Sequence, residues 1–309
     1  SADGRRLAVD SGTQLIAADL SRSASLHQIA TPPSTPFGAL VTGDRLDVLL
    51  REGVESDDLS DDDPPQRVVD LGLDGVVGIT LARGSDGHPL LIAGDPTGAT
   101  VTDLADHTSN ELHFDDHSGG VWRTAGDGRY VVAYSPTSLL VFDPDDGREV
   151  AQLRSPLGTI NPPCCAAIGP DGHLMVTWST ESMKITDLST GKQTPVDFGV
   201  GRFAWGADVI ADDRILAAVA DELRVFDADG APAVPFELPV PAGLAPAAVE
   251  AIGDGRTALL IGALDDSSTT VAVYDIDNAS LIRSTITMPG TFHGVSESTG
   301  DGAIVVTTT

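Results

Sequence analysis

"GDGRYVVAYSPTSLLVFDPDDGREVAQLR", residues 126–154, decides the fold. An Asp-Gly turn at Asp127 opens an apolar run over 130–134. A second run, 139–142, ends at Asp143 and a Pro/Asp/Gly turn. A third, 149–154, alternates apolar and polar residues. Runs this short, rich in Val, Leu, Tyr and Phe and bounded by turn residues, read as strands joined by hairpins.

The same phrase recurs along the chain. Turns before an apolar run occur at Asp3, Asp44, Asp86, Asp127, Asp171, Asp213, Asp254 and Asp301, at spacings of 41 to 47 residues. A second apolar stretch follows and ends in Asp19, Asp103, Asp143, Asp187, Asp227 or Asp275, then a turn and a further short strand, as in "REVAQLR" and "KQTPVDFG". Each unit therefore reads as four short strands. A unit of about 40 to 45 residues cannot bury both faces alone, and radial stacking lets neighbours cover each other.

An apolar-x-apolar-Asp third strand with a Gly-containing turn resembles the WD40/YVTN-like bacterial β-propellers over essentially the whole chain. Phe142-Asp143, Phe226-Asp227 and Tyr274-Asp275 stand where that class has Trp-Asp. The resemblance implies a fold and no specific activity. The expected architecture is all-β: one β-propeller domain over residues 1–309. Seven four-stranded blades, closed by pairing of N- and C-terminal strands, fit best. The chain starts at a second strand, and "TFHGVSESTGDGAIVVTTT" supplies a first and a second strand. One second strand is then surplus, so eight blades remain an alternative.

The formal net charge is −28, and Lys184 and Lys192 are the only lysines. Such a surface repels phosphate backbones and anionic lipids, which argues against nucleic-acid binding. No run of about 18 apolar residues is present, so no membrane insertion is expected. The start, Ser1-Ala2-Asp3-Gly4, reads as the middle of a repeat, as if a signal or anchor had been removed. With the acidity, the scarce lysine and the adjacent cysteines, this leads us to expect a secreted, periplasmic or surface-anchored monomer.

Cys164 and Cys165 are the only cysteines. Cys165 lies six residues before a turn Asp, as Val121 and Val295 do, which places it where an innermost strand begins, near the mouth of the central channel. His117 and His293 reach the same level. Two histidines and two thiols on one face suggest zinc, although adjacent cysteines chelate one ion poorly. A vicinal disulfide or two buried thiols are the other readings. "HTSNELHFDDH", 107–117, adds His113 and Asp115, expected on one strand face, to the possible metal ligands His117 and His293. "REGVESDDLSDDDPPQR", 51–67, carries seven carboxylates and reads as a solvated insertion or a calcium loop. Trp122, Trp178 and Trp205 fall on first or second strands and are expected in the core, with Trp122 a possible ligand platform.

Sequence signatures of common catalysts are missing: no Gly-x-Ser-x-Gly, no His-Glu-x-x-His, no phosphate-binding Gly-Lys-Ser/Thr loop. The expectation is a non-enzymatic propeller that needs no cofactor. It would bind a protein or ligand through the channel mouth and loops, with His117, His293, Trp122, Cys164 and Cys165 as candidate contacts. The alternative is a metal-dependent site at the mouth, loaded with zinc or calcium, for metal carriage or lactonase-like hydrolysis.

Overall fold

The computed structural model describes residues 6–308 apart from 11–14, 20–25, 31–37, 43–44, 59–65, 71–77, 96, 114–121, 126–128, 135–137, 155–164, 170, 180–181, 199–203, 221, 239, 253–254, 266, 279, 290–291 and 297–304.

The turn carboxylates explain the period. Asp86 Oδ1 accepts the His88 amide at 2.9 Å, and Asp171 Oδ1 accepts that of His173 at 3.0 Å. The glycines between them, Gly87 and Gly172, take φ of +91° and +70°. An Asx turn followed by a left-handed glycine reverses the chain within a few residues. The aspartates closing the third strands act alike: Asp187 Oδ1 accepts the amides of Ser189 and Thr190 at 2.9 and 3.1 Å. Asp86, Asp171 and Asp187 are thus turn formers.

Among the described residues, strands form seven sheets, numbered here along the chain. Sheet 1 holds β1 (Arg6–Asp10), β2 (Leu15–Asp19) and β3 (Leu26–Ala30). Sheet 2 is β4 (Gly38–Thr42), β5 (Arg45–Leu49), β6 (Gly53–Asp58) and β7 (Gln66–Asp70). Sheet 3 is β8 (Gly78–Arg83), β9 (Pro89–Asp95), β10 (Gly98–Asp103) and β11 (Ser109–His113). Sheet 4 is β12 (Trp122–Ala125), β13 (Tyr130–Tyr134), β14 (Ser138–Phe142) and β15 (Glu149–Arg154). Sheet 5 is β16 (Cys165–Ile168), β17 (Leu174–Trp178), β18 (Met183–Asp187) and β19 (Gln193–Val196). Sheet 6 is β20 (Ala204–Ile210), β21 (Arg214–Val219), β22 (Glu222–Phe226) and β23 (Pro232–Leu238). Sheet 7 is β24 (Ala245–Ile252), β25 (Thr257–Ala263), β26 (Ser268–Asp275) and β27 (Ser280–Pro289). The last strands, β28 (Phe292–Ser296) and β29 (Val305–Thr308), return to sheet 1.

Within sheets 2 to 7 the strands are antiparallel in chain order. The first strands of successive sheets lie against one another: β28 against β4, then β8, β12, β16, β20 and β24. They are therefore innermost, as in a β-propeller. Sheet 1 runs β28-β29-β1-β2-β3, with β29 parallel to β1. The surplus second strand of the sequence is thus placed: both second strands sit side by side in one five-stranded sheet.

The core fills the gaps between sheets, and strand alternation feeds it on both sides. Ile215, Ala217 and Val219 of β21 pack against sheet 5, whereas Leu216 and Ala218 of the same strand pack against sheet 7. Val131 and Ala133 of β13 likewise face sheet 3 while Val132 faces sheet 5. Each such buried Val, Leu or Ile side chain contributes about 1.5–3 kcal/mol. The aromatic residues of the third strands, Phe142, Phe226 and Tyr274, are fully buried against the preceding sheet.

The acidic segment 51–67 corrects the sequence reading. Gly53–Asp58 is the third strand β6, not an insertion, and Gln66 opens the fourth. Glu55 is carried in the sheet by Arg67 across the ladder, at 3.0 Å, and Asp57 is buried. No helix of the described residues is long and apolar enough to cross a membrane.

Candidate functional site at the leading end of the inner strands

Each first strand begins at the end of its sheet where the second strand hands over to the third. Four first strands bring chemistry-bearing residues to this leading end. Trp122 opens β12, Cys165 opens β16 opposite Trp178, Trp205 is second in β20, and His293 is second in β28. For Trp122, Cys165 and His293 the structure gives this strand position. His117, Asp115 and Cys164 lie outside the described residues. His113 ends β11, the outermost strand of sheet 3, and is exposed. Its Nε2 lies 3.9 Å from Glu111 Oε2. It therefore stands on an outer strand, whereas His293 is on an inner one. Among the described residues no group of three or more His, Cys, Asp or Glu is arranged to hold a metal ion.

Trp205 departs from its expected place in the core. The ladder between β20 and β21 shifts between Ala204 and Gly206, so Trp205 occupies a bulge. Its side chain is turned out and the residue is 44% exposed. The indole Nε1–H donates to the Ala220 carbonyl at 3.1 Å, which fixes the ring while leaving part of it open. Trp178, in the adjoining sheet, is half-buried against the core of sheets 5 and 6. Leu264, which follows β25 at the same end of sheet 7, is 45% exposed. Bulges recur beside functional surfaces because they re-aim one side chain without breaking the sheet.

Deeper on the same inner strands lies an acid pair that the sequence reading passed over. Asp208 of β20 is buried, and its Oδ1 accepts the Val209 amide at 2.7 Å. Its Oδ2 accepts the amide of Ala251 on β24. Glu250, next to Ala251, is half-buried. Burial and then the Asp208 charge hold its carboxyl well above the ordinary 4.5. The signal was present as one carboxylate inside each of two apolar inner strands, "GADVI" and "AAVEAI".

No protein-family model matches the chain, and no curated protein matches it. Solved structures do. A computationally designed protein, Ika8, superposes with a TM-score of 0.60 at 14% identity, covering 97% of this chain and 91% of its own. Virginiamycin B lyase from Staphylococcus aureus gives 0.58 at 13% identity, covering 86% of this chain and 89% of the lyase. The lyase is a β-propeller. At such identities the likeness speaks for architecture alone, and with the inner-strand order above it makes this chain a β-propeller.

Proposed function

We propose that this chain is a non-enzymatic binding propeller of the WD40/YVTN-like kind, a single domain that works outside the cytoplasm. It takes a protein partner at the leading end of its inner strands. The observation that carries the reading is Trp205, bulged out of β20 and anchored by its indole N–H. Leu264 adds a second exposed apolar side chain at the same end of the neighbouring sheet. Partly exposed aromatic anchors of this kind dominate binding energy at protein interfaces. The net charge of −28 selects for a partner with a basic surface.

A photo-crosslinking amino acid at position 264 identifies the partner in its native extract. Affinity for the purified partner is then compared between the wild type, Trp205→Ala and Leu264→Ala. Trp205→Ala is expected to weaken binding at least tenfold with an unchanged melting temperature. A partner held as tightly by both variants as by the wild type removes the leading end from the interface and overturns the reading.

A further inference from the structure

Among the described strands, sheet 1 alone has two second strands. β28 pairs antiparallel with β29, and β29 runs parallel to β1, which pairs antiparallel with β2. In sheets 2 to 7 the first strand lies directly beside a single second strand, antiparallel to it. In the sequence β1 and β29 are the same element, an apolar stretch behind an Asp-Gly turn, at Asp3 and at Asp301. Because β29 and β1 point the same way, β28 is antiparallel to both. Lifting β29 out therefore leaves β28-β1-β2-β3, the arrangement of sheets 2 to 7.

The two second strands are not held alike. β1 matches β2 in unbroken register, from Arg6 opposite Asp19 to Asp10 opposite Leu15. β29 meets β1 over a shorter stretch, Val305 to Thr307 opposite Ala8 to Asp10. That pairing is parallel, the slightly less stable kind. The ladder of β29 with β28 is interrupted by a shift between Phe292 and Gly294. Release of β29 gives up these two ladders and regains one, β28 on β1, so β28 keeps a partner throughout.

We propose that β29 is an exchangeable strand. In one state it stands between β28 and β1. In the other it is shed, and β28 closes the ring directly on β1. The C-terminal strand is thus given up without opening the propeller.

One row of residues reports the exchange. Val295, Val306, Val9 and Ile16 lie opposite one another across β28, β29, β1 and β2. Val295 and Val9 are two strand spacings apart, about 9.5 Å. A disulfide joins Cα atoms no more than about 7 Å apart. Once β29 leaves, positions 9 and 295 face each other.

The test is disulfide trapping in the full chain carrying Cys164→Ala and Cys165→Ala, read by non-reducing peptide mapping. Val9→Cys with Val295→Cys is expected to bond, more slowly than the adjacent pair Val295→Cys with Val306→Cys. Val306→Pro denies β29 a ladder donor and is expected to speed the bond between positions 9 and 295 about tenfold. Ile16→Cys with Val306→Cys spans β1 over the same two spacings and is expected to stay open. Failure of positions 9 and 295 to bond while the adjacent pair does overturns the exchange. So does a bond there that is indifferent to Val306→Pro, or no faster than the one between positions 16 and 306.

Discussion

Asp145 and Ser85 belong to neighbouring sheets, and Asp145 Oδ2 accepts the Ser85 backbone amide at 2.7 Å. The third-to-fourth turn of sheet 4 is thereby laid over the first-to-second turn of sheet 3. Arg129 Nη1 donates to the same oxygen at 2.9 Å. Removing the carboxylate in Asp145→Ala deletes both bonds. Discounted for its partial exposure, the change is expected to cost about 1 kcal/mol, read from urea unfolding, with exchange at Ser85 accelerated.

Burial pushes the Asp145 carboxyl up, but the Ser85 hydrogen bonds and the Arg129 charge together outweigh it and hold it below 3.8. Asp187 and Asp275 are lowered too, chiefly by side-chain hydrogen bonds from Ser189 and Asn278. Stability from lowered acids is present above the unfolded value of 3.8 and is lost as pH falls through the folded values. Thermal unfolding from pH 6 to 2 should show that acid loss, and Asp187→Asn should flatten part of it.

Two left-handed glycines separate backbone strain from crowding. Gly191 has φ of +68° and open space where a Cβ would go, whereas Gly172, at +70°, would place a Cβ 2.1 Å from Tyr130 Oη. Gly191→Ala is expected to cost about 1 kcal/mol, the left-handed penalty alone. Gly172→Ala should cost at least about 2 kcal/mol more, because Tyr130 must move. Urea midpoints of the two variants check the difference.

Phe226 stands where the sequence pattern asks for an aromatic before Asp, and it is fully buried between sheets 5 and 6. Phe226→Ala is expected to destabilise by about 3–5 kcal/mol. A loss below about 1 kcal/mol in calorimetry would mean the gap between sheets can collapse around it.

Melting of chelator-treated protein with zinc and with calcium tests the metal alternative. A ligand at a hundredfold excess over its dissociation constant stabilises by about 2.7 kcal/mol. The binding reading expects no shift with either ion. A saturable zinc shift abolished in His117→Ala or His293→Ala would overturn it, and a calcium shift alone would point to the acidic segment 51–67.

What was legible in the sequence was local. Asp86 and Asp171 shape their turns through the amide two residues on, so their spacing reported the repeat directly. β6 was hidden because Glu55, Asp57 and Asp58 read as loop, while its partner Arg67 comes from the next strand. Trp205 was expected in the core because composition does not reveal a bulge. Asp208 and the Ala251 amide meet only when strands of successive sheets are laid side by side, a pairing no short window contains.

The parallel pairing of β1 with β29 also bears on how the chain folds. Ala8 meets Val305, and Asp10 meets Thr307, so this contact spans almost the whole chain. The other sheets join strands that follow one another directly. Their nuclei close short loops, whereas sheet 1 must wait for the rest, since loop-closure entropy rises with the length enclosed. Refolding should therefore end in a slow phase that reports on sheet 1, and pulling the two chain ends apart should open the ring there first.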